Sequence, residues 1–306
     1  MHTPVLLKEA IDALAVKPGG VYVDGTLGRA GHAREILSRA GTGSRLVGID
    51  RDTQALVECA ERLGNVPGVS LTLVHGCHGS IAQIVRDEGL DAVDGILLDL
   101  GVSSPQLDEP SRGFSFRADG PLDMRMDRSH GETAADVVAT RDEEVLADLF
   151  RSFGEEPNAR RIAKAIVKTR SATRIETTVQ LAELVERTVG RHGAHHPATR
   201  VFQALRMAVN DELGELQRAL EGGMGLLKPG GRFAVITFES LSDRIVKKFF
   251  AAHAGAMVSL QQGGERWEGE FPRARLVMRH AVTASEKEVL ANPRARSAKL
   301  RAIERI

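Results

Sequence analysis

The sequence predicts an α/β protein: an open, largely parallel sheet covered by helices on both faces and interrupted by an inserted all-helical subdomain. Three observations predict it. Short apolar runs alternate with amphipathic stretches through the first hundred residues or so. Several of those runs end in a carboxylate, as a buried strand does when its carboxyl end meets a ligand edge. Beyond Ser103, as far as about Thr199, helical periodicity replaces the strand-like runs.

In chain order, the first strand is Val21-Tyr22-Val23-Asp24, which runs into Gly25-Thr26-Leu27-Gly28. The second, Arg45-Leu46-Val47-Gly48-Ile49, ends in Asp50; the third is Leu71-Thr72-Leu73-Val74; the fourth, Gly95-Ile96-Leu97-Leu98, ends in Asp99. The next, Gly231 to Phe238, comes much later, after the Lys228-Pro229-Gly230-Gly231 turn. The sheet domain is therefore expected in two parts, 1–104 and 207–306, around a helical insertion at 105–206. The insertion opens with a Gly/Pro/Asp-rich stretch through Met126. Leu146, Leu149, Phe150 and Phe153 then share one helix face, while Arg160, Lys164 and Lys168 fall four apart as a basic stripe beside Ile162, Ala165 and Ile166. Phe202, Leu205, Val209, Leu213 and Leu216 define a further helix, and Arg294, Arg296, Lys299, Arg301 and Arg305 form a basic C-terminal tail.

Composition narrows the function. The 41 basic and 41 acidic residues cancel, so any nucleic-acid contact must be regional. No run of about 18 apolar residues and no charged start followed by an apolar segment occurs, so a cytoplasmic protein without a membrane partner is expected. Cys59 and Cys77 are not spaced as Cys-x-x-Cys and are expected as reduced thiols. His75-Gly76-Cys77-His78 has no second ligand cluster to complete a zinc set, so no metal is expected. Ser103 and Ser104 lack a Gly-x-Ser-x-Gly frame and read as turn residues.

Gly25, Gly28 and Gly31 recur every three residues after the first strand, letting backbone approach a ligand closely. That spacing is not the Gly-x-Gly-x-x-Gly of a dinucleotide site and suits a ligand without phosphate, such as S-adenosylmethionine. Asp50 is placed to accept hydrogen bonds from ribose hydroxyls, and Asp24 to face an ammonium or orient the turn. Asp99 is placed to accept the protons of a target amine, whose lone pair must be held in line with the methyl; positioning alone serves that chemistry and no nucleophile is required.

Beyond these features, long strings resemble the bacterial small-subunit ribosomal RNA methyltransferase H family, long called MraW. They are His2-Thr3-Pro4-Val5-Leu6-Leu7, Asp24 to His32, Gly95 to Asp108, Arg112-Gly113-Phe114-Ser115-Phe116, Gly120 to Asp127, His196-Pro197-Ala198-Thr199-Arg200 and Asn292 to Ser297. The resemblance implies a Rossmann-like, class I methyltransferase sheet whose insertion recognises substrate. It implies methylation of the 4-amino group of a decoding-region cytidine in 16S ribosomal RNA within the small subunit, with a homodimer as one option for assembly. By motif match, cofactor contacts carry over to Ala30, Gly31, His32, Asp50, Asp99 and Gln106. Three positions depart from the family strings: Ala30 stands where a glycine is usual, His78 where an aromatic is usual, and Glu239 where a histidine is usual. His78 is retained as the residue against adenine, and Glu239 as a second candidate catalytic residue. Phe114 and Phe116 are candidates to stack on an extruded base or, equally, loop anchors. Arg160, Lys164, Arg200, Arg294 and Arg296 are candidate phosphate contacts. The rival readings are a methyltransferase acting on another RNA or a small molecule, a nicotinamide-dependent oxidoreductase, and a non-catalytic RNA-binding protein.

Overall fold

A computed structural model of the chain describes residues 4–64, 66–191, 196–259, 265–268 and 273–306. It holds two compact units: Met1–Gly101 with Gly214–Ile306, and Val102–Leu213. The first unit alternates α1 (Leu7–Leu14), β1 (Val21–Asp24), α2 (Gly31–Ala40), β2 (Arg45–Asp50), α3 (Thr53–Leu63), β3 (Ser70–His75), α4 (Ile81–Asp87) and β4 (Val93–Asp99). The second carries α5 (Ser104–Asp108), α6 (Ala134–Thr140), α7 (Glu143–Gly154), α8 (Ala159–Arg170), α9 (Thr178–Val189) and α10 (Ala198–Val209). Helix α11 (Glu212–Leu226) leads back into the sheet unit. There follow β5 (Leu227–Thr237), α12 (Ser240–Ala254), β6 (Ala256–Ser259), β7 (Glu265–Glu268), β8 (Ala274–Leu276), β9 (Val282–Thr283), α13 (Glu286–Ala291) and β10 (Lys299–Arg305).

The sheet runs β3-β2-β1-β4-β5-β10-β8, with β9 also on β10 and β6-β7 a separate ribbon. Strands β1 to β5 are parallel, so their carboxyl ends share one edge. The chain moves outward from β1 in one direction through β2 and β3, then returns to its other side as β4; that reversal opens the crevice where open α/β sheets bind ligands. Burial on both faces follows from sequence alternation. In β4, Leu97 enters the core under α1 and α2 while Ile96 and Leu98 enter the opposite core, and in β5 Ala234 and Ile236 part from Phe233 and Val235 in the same way.

Two sequence expectations change. Strand β5 starts at Leu227 and not at Gly231, because an irregularity in its pairing between Val93 and Gly95 of β4 accommodates Pro229 and Gly230. The basic tail is in large part strand β10, antiparallel to β5. Leu300, Ala302 and Ile303 are buried, Lys299 and Arg301 pair with Asp243 at 3.2 and 2.7 Å, and Arg305 donates to the Leu227 carbonyl.

The helical unit closes around Leu146, Phe150, Ile162, Ile166, Leu181, Val185, Val201 and Leu205, all fully buried. Its Gly/Pro/Asp-rich opening is tied into this body. Arg112, 3% exposed, donates to the carbonyls of Arg125 and Met126 at 3.2 and 3.0 Å. Asn210 accepts from the Met126 N–H and donates to the Met124 carbonyl, both at 2.8 Å. Asp123 takes the Arg125 guanidinium in two-pronged fashion at 2.7 and 3.1 Å. Capping boxes begin α5, α6 and α9 at Ser103, Thr133 and Thr177. No helix among the described residues is long and apolar enough to cross a membrane.

Candidate active site

The parallel register of β1, β2 and β4 delivers Asp24, Asp50 and Asp99 to the same sheet edge. Each is held differently. Asp50 spans two backbone donors, Oδ2 accepting from Gly28 and Oδ1 from Asp52, both at 2.8 Å. A carboxylate oxygen has a second lone pair, so Asp50 stays rigid and can still accept from a diol. Its carboxyl is raised by burial, against the pull of the Asp52 and Gly28 N–H groups. Asp24, 1% exposed, accepts from the Thr26 N–H at 3.1 Å; burial pushes it to about 7, with the Thr26 bond opposing and the Asp50 charge adding. Asp99 is pushed to about 8 by burial and by Asp24 beside it. Its Oδ1 is buried without a hydrogen-bond partner, a state that costs about 1–3 kcal/mol until a donor arrives.

The glycine turn is shaped by close approach. A Cβ on Gly25 would lie 2.4 Å from Leu98 Cδ2, and one on Gly31 would lie 2.0 Å from Pro4 Cγ, so β4 and the N-terminal segment both press against it. Gly28 is committed at both backbone groups: its N–H to Asp50 and its carbonyl to the Cys59 thiol at 3.2 Å. Burial pushes that thiol to about 12, which keeps it a donor. Ala30 caps α2 at φ 59°, in the left-handed region where an L side chain costs roughly 1–2 kcal/mol and glycine none. This is why a glycine is usual there.

His32 is 5% exposed, with Nε2 3.1 Å from the Val5 carbonyl and Nδ1 3.6 Å from Asp99 Oδ2. Burial lowers it to about 4, the Val5 carbonyl opposing, so the imidazole is neutral. His78 follows β3 in a short 3-10 turn, with its Cβ 3.4 Å from where a Gly25 side chain would begin. Its Nε2 is buried and unpaired, and burial, followed by Arg51, brings it to about 4. A flat, uncharged ring therefore borders the turn where the sequence expects an adenine neighbour.

These residues fit S-adenosylmethionine better than a phosphate ligand. The Gly28 N–H that would meet a pyrophosphate is already given to Asp50, and the acidic side chains at this edge offer acceptors to ammonium and hydroxyl groups. Among the described residues no group of three or more His, Cys, Asp or Glu could hold a metal ion.

Other expected site residues are placed more variously. Glu239 caps α12, its oxygens accepting from the Leu241 and Ser242 N–H groups at 2.6 and 2.8 Å. A carboxylate is well suited to that helix end. In the helical unit, Gln106 is 5% exposed and its Oε1 accepts from the Ser103 N–H at 3.0 Å. Phe114 is in the helical core beneath the Arg112 guanidinium, and Phe116 packs its ring 4.7 Å from those of both His196 and Phe202. Both rings are packed within that unit. Arg160 and Lys164 are exposed on α8, opposite buried Ile162 and Ile166; Arg200 is exposed on the first turn of α10. Arg294 and Arg296 are exposed on the Pro293–Ser297 turn of the sheet unit. The start of the first family string, His2 and Thr3, lies outside the described residues.

Three contributors escaped the sequence reading. Thr26 Oγ1 accepts the Asp99 N–H at 2.5 Å, fixing β4 to the turn. Cys59 locks Gly28, and Val5 holds His32. Thr26 and Val5 lie in the family strings but Cys59 does not, and the bond each makes is found only when residues distant in sequence meet.

Comparison with known proteins adds independent findings. A family model described as the MraW methylase family matches residues 1–306. The chain is 49% identical to the ribosomal RNA small subunit methyltransferase H of Citrifermentans bemidjiense, over 100% of this chain and 98% of that protein. It is 52% identical to the protein of the same description from Bradyrhizobium diazoefficiens, over 99% of this chain and 91% of that one. Among solved structures it is similar to an rRNA methylase from Streptococcus thermophilus, with a TM-score of 0.44 and 11% identity over 100% and 99% of the two chains.

Proposed function

Because this chain belongs to the MraW methylase family, we propose that it methylates the exocyclic 4-amino group of a decoding-region cytidine in 16S ribosomal RNA. It is an S-adenosylmethionine-dependent methyltransferase built on a Rossmann-like, class I sheet. The observation that carries the finer reading is Asp99 Oδ1, a buried acceptor without a hydrogen-bond partner at the carboxyl end of β4, at the crevice beside β1.

The cofactor supplies a methyl group on a sulfonium, electrophilic enough to need no activation by the protein. The chain's own residues then have three tasks. Asp50, rigid between Gly28 and Asp52, would accept from the ribose; Gly25, Gly28, Ala30 and Gly31 would offer close backbone; His78 would lie against adenine, with Asp24 and His32 completing the set on the sheet edge. Asp99 Oδ1 would accept an N–H of the target amine; when the nitrogen takes the methyl, the sulfur keeps the electron pair of its broken bond and the surplus amine proton passes to water. The hydrogen bond orients a nitrogen whose lone pair is delocalised into its ring, and positioning of this kind is worth up to roughly 7–11 kcal/mol in the most favourable cases. Glu239 acts through the end of α12 that it caps. Arg160, Lys164, Arg200, Arg294 and Arg296 contact phosphates, and with zero net charge these local cations favour RNA already shaped within the small subunit over any polyanion.

The test is transfer of labelled methyl from S-adenosylmethionine to small subunits lacking the modification, and to the naked RNA, followed by nucleoside analysis. Label in N4-methylated cytidine, with subunits preferred, is expected. Label in another nucleoside, or none in either substrate while cofactor binds, overturns the reading.

A further inference from the structure

The site contains a buried imidazole whose second nitrogen points at Asp99, and the structure determines which nitrogen carries the proton. The Val5 carbonyl, 3.1 Å from His32 Nε2, can only accept, so Nε2 must donate. A neutral imidazole has one N–H, which leaves Nδ1 as a bare lone pair 3.6 Å from Asp99 Oδ2. A lone pair facing an ionised carboxylate is repelled by it; one facing a carboxylic acid is bonded.

We propose that His32 is a positioning residue: the Val5 carbonyl holds its imidazole as the Nε2–H tautomer, and Nδ1 accepts a hydrogen bond from the acid O–H that Asp99 keeps at Oδ2. Oδ1 is thereby left as the oxygen that accepts from the target amine.

The two Asp99 oxygens already differ in this sense, since Oδ2 faces His32 and Oδ1 is buried without a partner. Asp99 is surrounded by few groups that could compete. Among the described residues, Asp24 on β1 acts on it and disfavours ionisation; Thr26 meets its backbone N–H. The raised carboxyl of Asp99 and the lowered imidazole of His32 both agree with a proton on the acid. The 3.6 Å separation exceeds a hydrogen bond by a few tenths of an ångström, and such contacts commonly tighten once a site is loaded. The tautomer is set from outside the sheet. Val5 belongs to an N-terminal strap held where Pro4 meets Gly31 and where the Leu6 N–H donates to Glu288 Oε1 at 2.8 Å. A neutral acceptor at Oδ1 has a specific merit: it orients an amine without forming an ion pair with the sulfonium.

This inference rests on the reading of Asp99 as the acceptor for the amine, and its test is separable from that one. Long-range proton–nitrogen spectra of the full-length, cofactor-free protein labelled with 15N-histidine, with His32 assigned by its variant, read the tautomer directly. A bare Nδ1 with protonated Nε2, unchanged down to pH 5, is expected; a protonated Nδ1, or titration at the ordinary histidine value, overturns the proposal whatever the activity. Two variants then divide the roles. His32→Asn places an oxygen near the Nδ1 position and keeps an acceptor for Asp99, whereas His32→Gln keeps a donor for Val5 alone. Asn is expected to retain kcat within about tenfold and Gln to lose about a hundredfold, with whatever weakening of S-adenosylhomocysteine binding occurs being the same in the two variants. Equal losses of kcat, or losses confined to cofactor binding, leave His32 a structural residue and overturn the proposal. Full activity in Asp99→Ala instead removes the underlying reading while the tautomer result stands.

Discussion

The sheet edge and the opening loop of the helical unit bear equally distinctive sequence strings, yet they treat buried charge in opposite ways. In the helical unit, Arg112 meets two carbonyls, Asp123 meets Arg125 and Asn210 bridges Met124 and Met126. At the sheet edge Asp99 Oδ1 and His78 Nε2 are unpaired, Asp24 and Asp99 are like groups pressed together, and Ala30 sits in a conformation that favours glycine. The contrast separates strings that hold a shape from strings that await a ligand. Unfavourable contacts persist where binding relieves them.

Changes that strike one region and spare the other test this contrast. The largest effect is expected from Asp99→Ala: methyl transfer falls about a thousandfold or more in the labelling assay. The same variant should make the cofactor-free protein more stable, and increasingly so at higher pH. The folded carboxyl is raised from 3.8 to about 8, so below 3.8 both states hold the proton. Above it the unfolded chain releases the proton while the folded chain retains it, and stability is lost as pH rises through that window. Thermal melts at pH 5 and pH 8 should therefore diverge further from wild type at pH 8; a constant gap would refute the assignment. Next comes Asn210→Ala, which strands a buried N–H and a buried carbonyl and should cost about 3 kcal/mol in denaturant unfolding. A neutral result would show that the helical unit is not the satisfied region described. Asp50→Ala should weaken cofactor binding about ten- to a hundredfold by calorimetry, an effect of roughly 1.5–3 kcal/mol. The smallest change runs the other way: Ala30→Gly should stabilise the protein by up to about 1 kcal/mol, measured by its melting midpoint, because it relieves a left-handed alanine.

Strands β1, β2 and β4 were legible because each is a short apolar run closed by an acid, and β1 and β2 end at the residues expected, Asp24 and Asp50. Strand β10 was not, because its charges drew attention to composition while its period of two, with Leu300 and Ala302 turned inward, went uncounted. The opening loop of the helical unit read as a string of breakers, since the bonds that order it come from Asn210, far along the chain. At the candidate site, the edge carboxylates follow from strand pattern alone. The partner of His32 does not, because Val5 and Asp99 meet it only in the folded chain. At Glu239 the sequence showed a departure from the family string but not the cap that this carboxylate makes on α12.

The pairing of β4 with β5 brings Val93 beside Leu227, with the whole helical unit between them in the chain. During synthesis four strands therefore emerge before the fifth exists, and the helices, whose contacts are closer in sequence, can condense in the interval. A folded insertion shortens the effective loop that the sheet must close, lowering the entropic barrier to its completion. Slow folding of the insertion would leave β4 an unpaired edge for longer, exposed to the wrong partner strand.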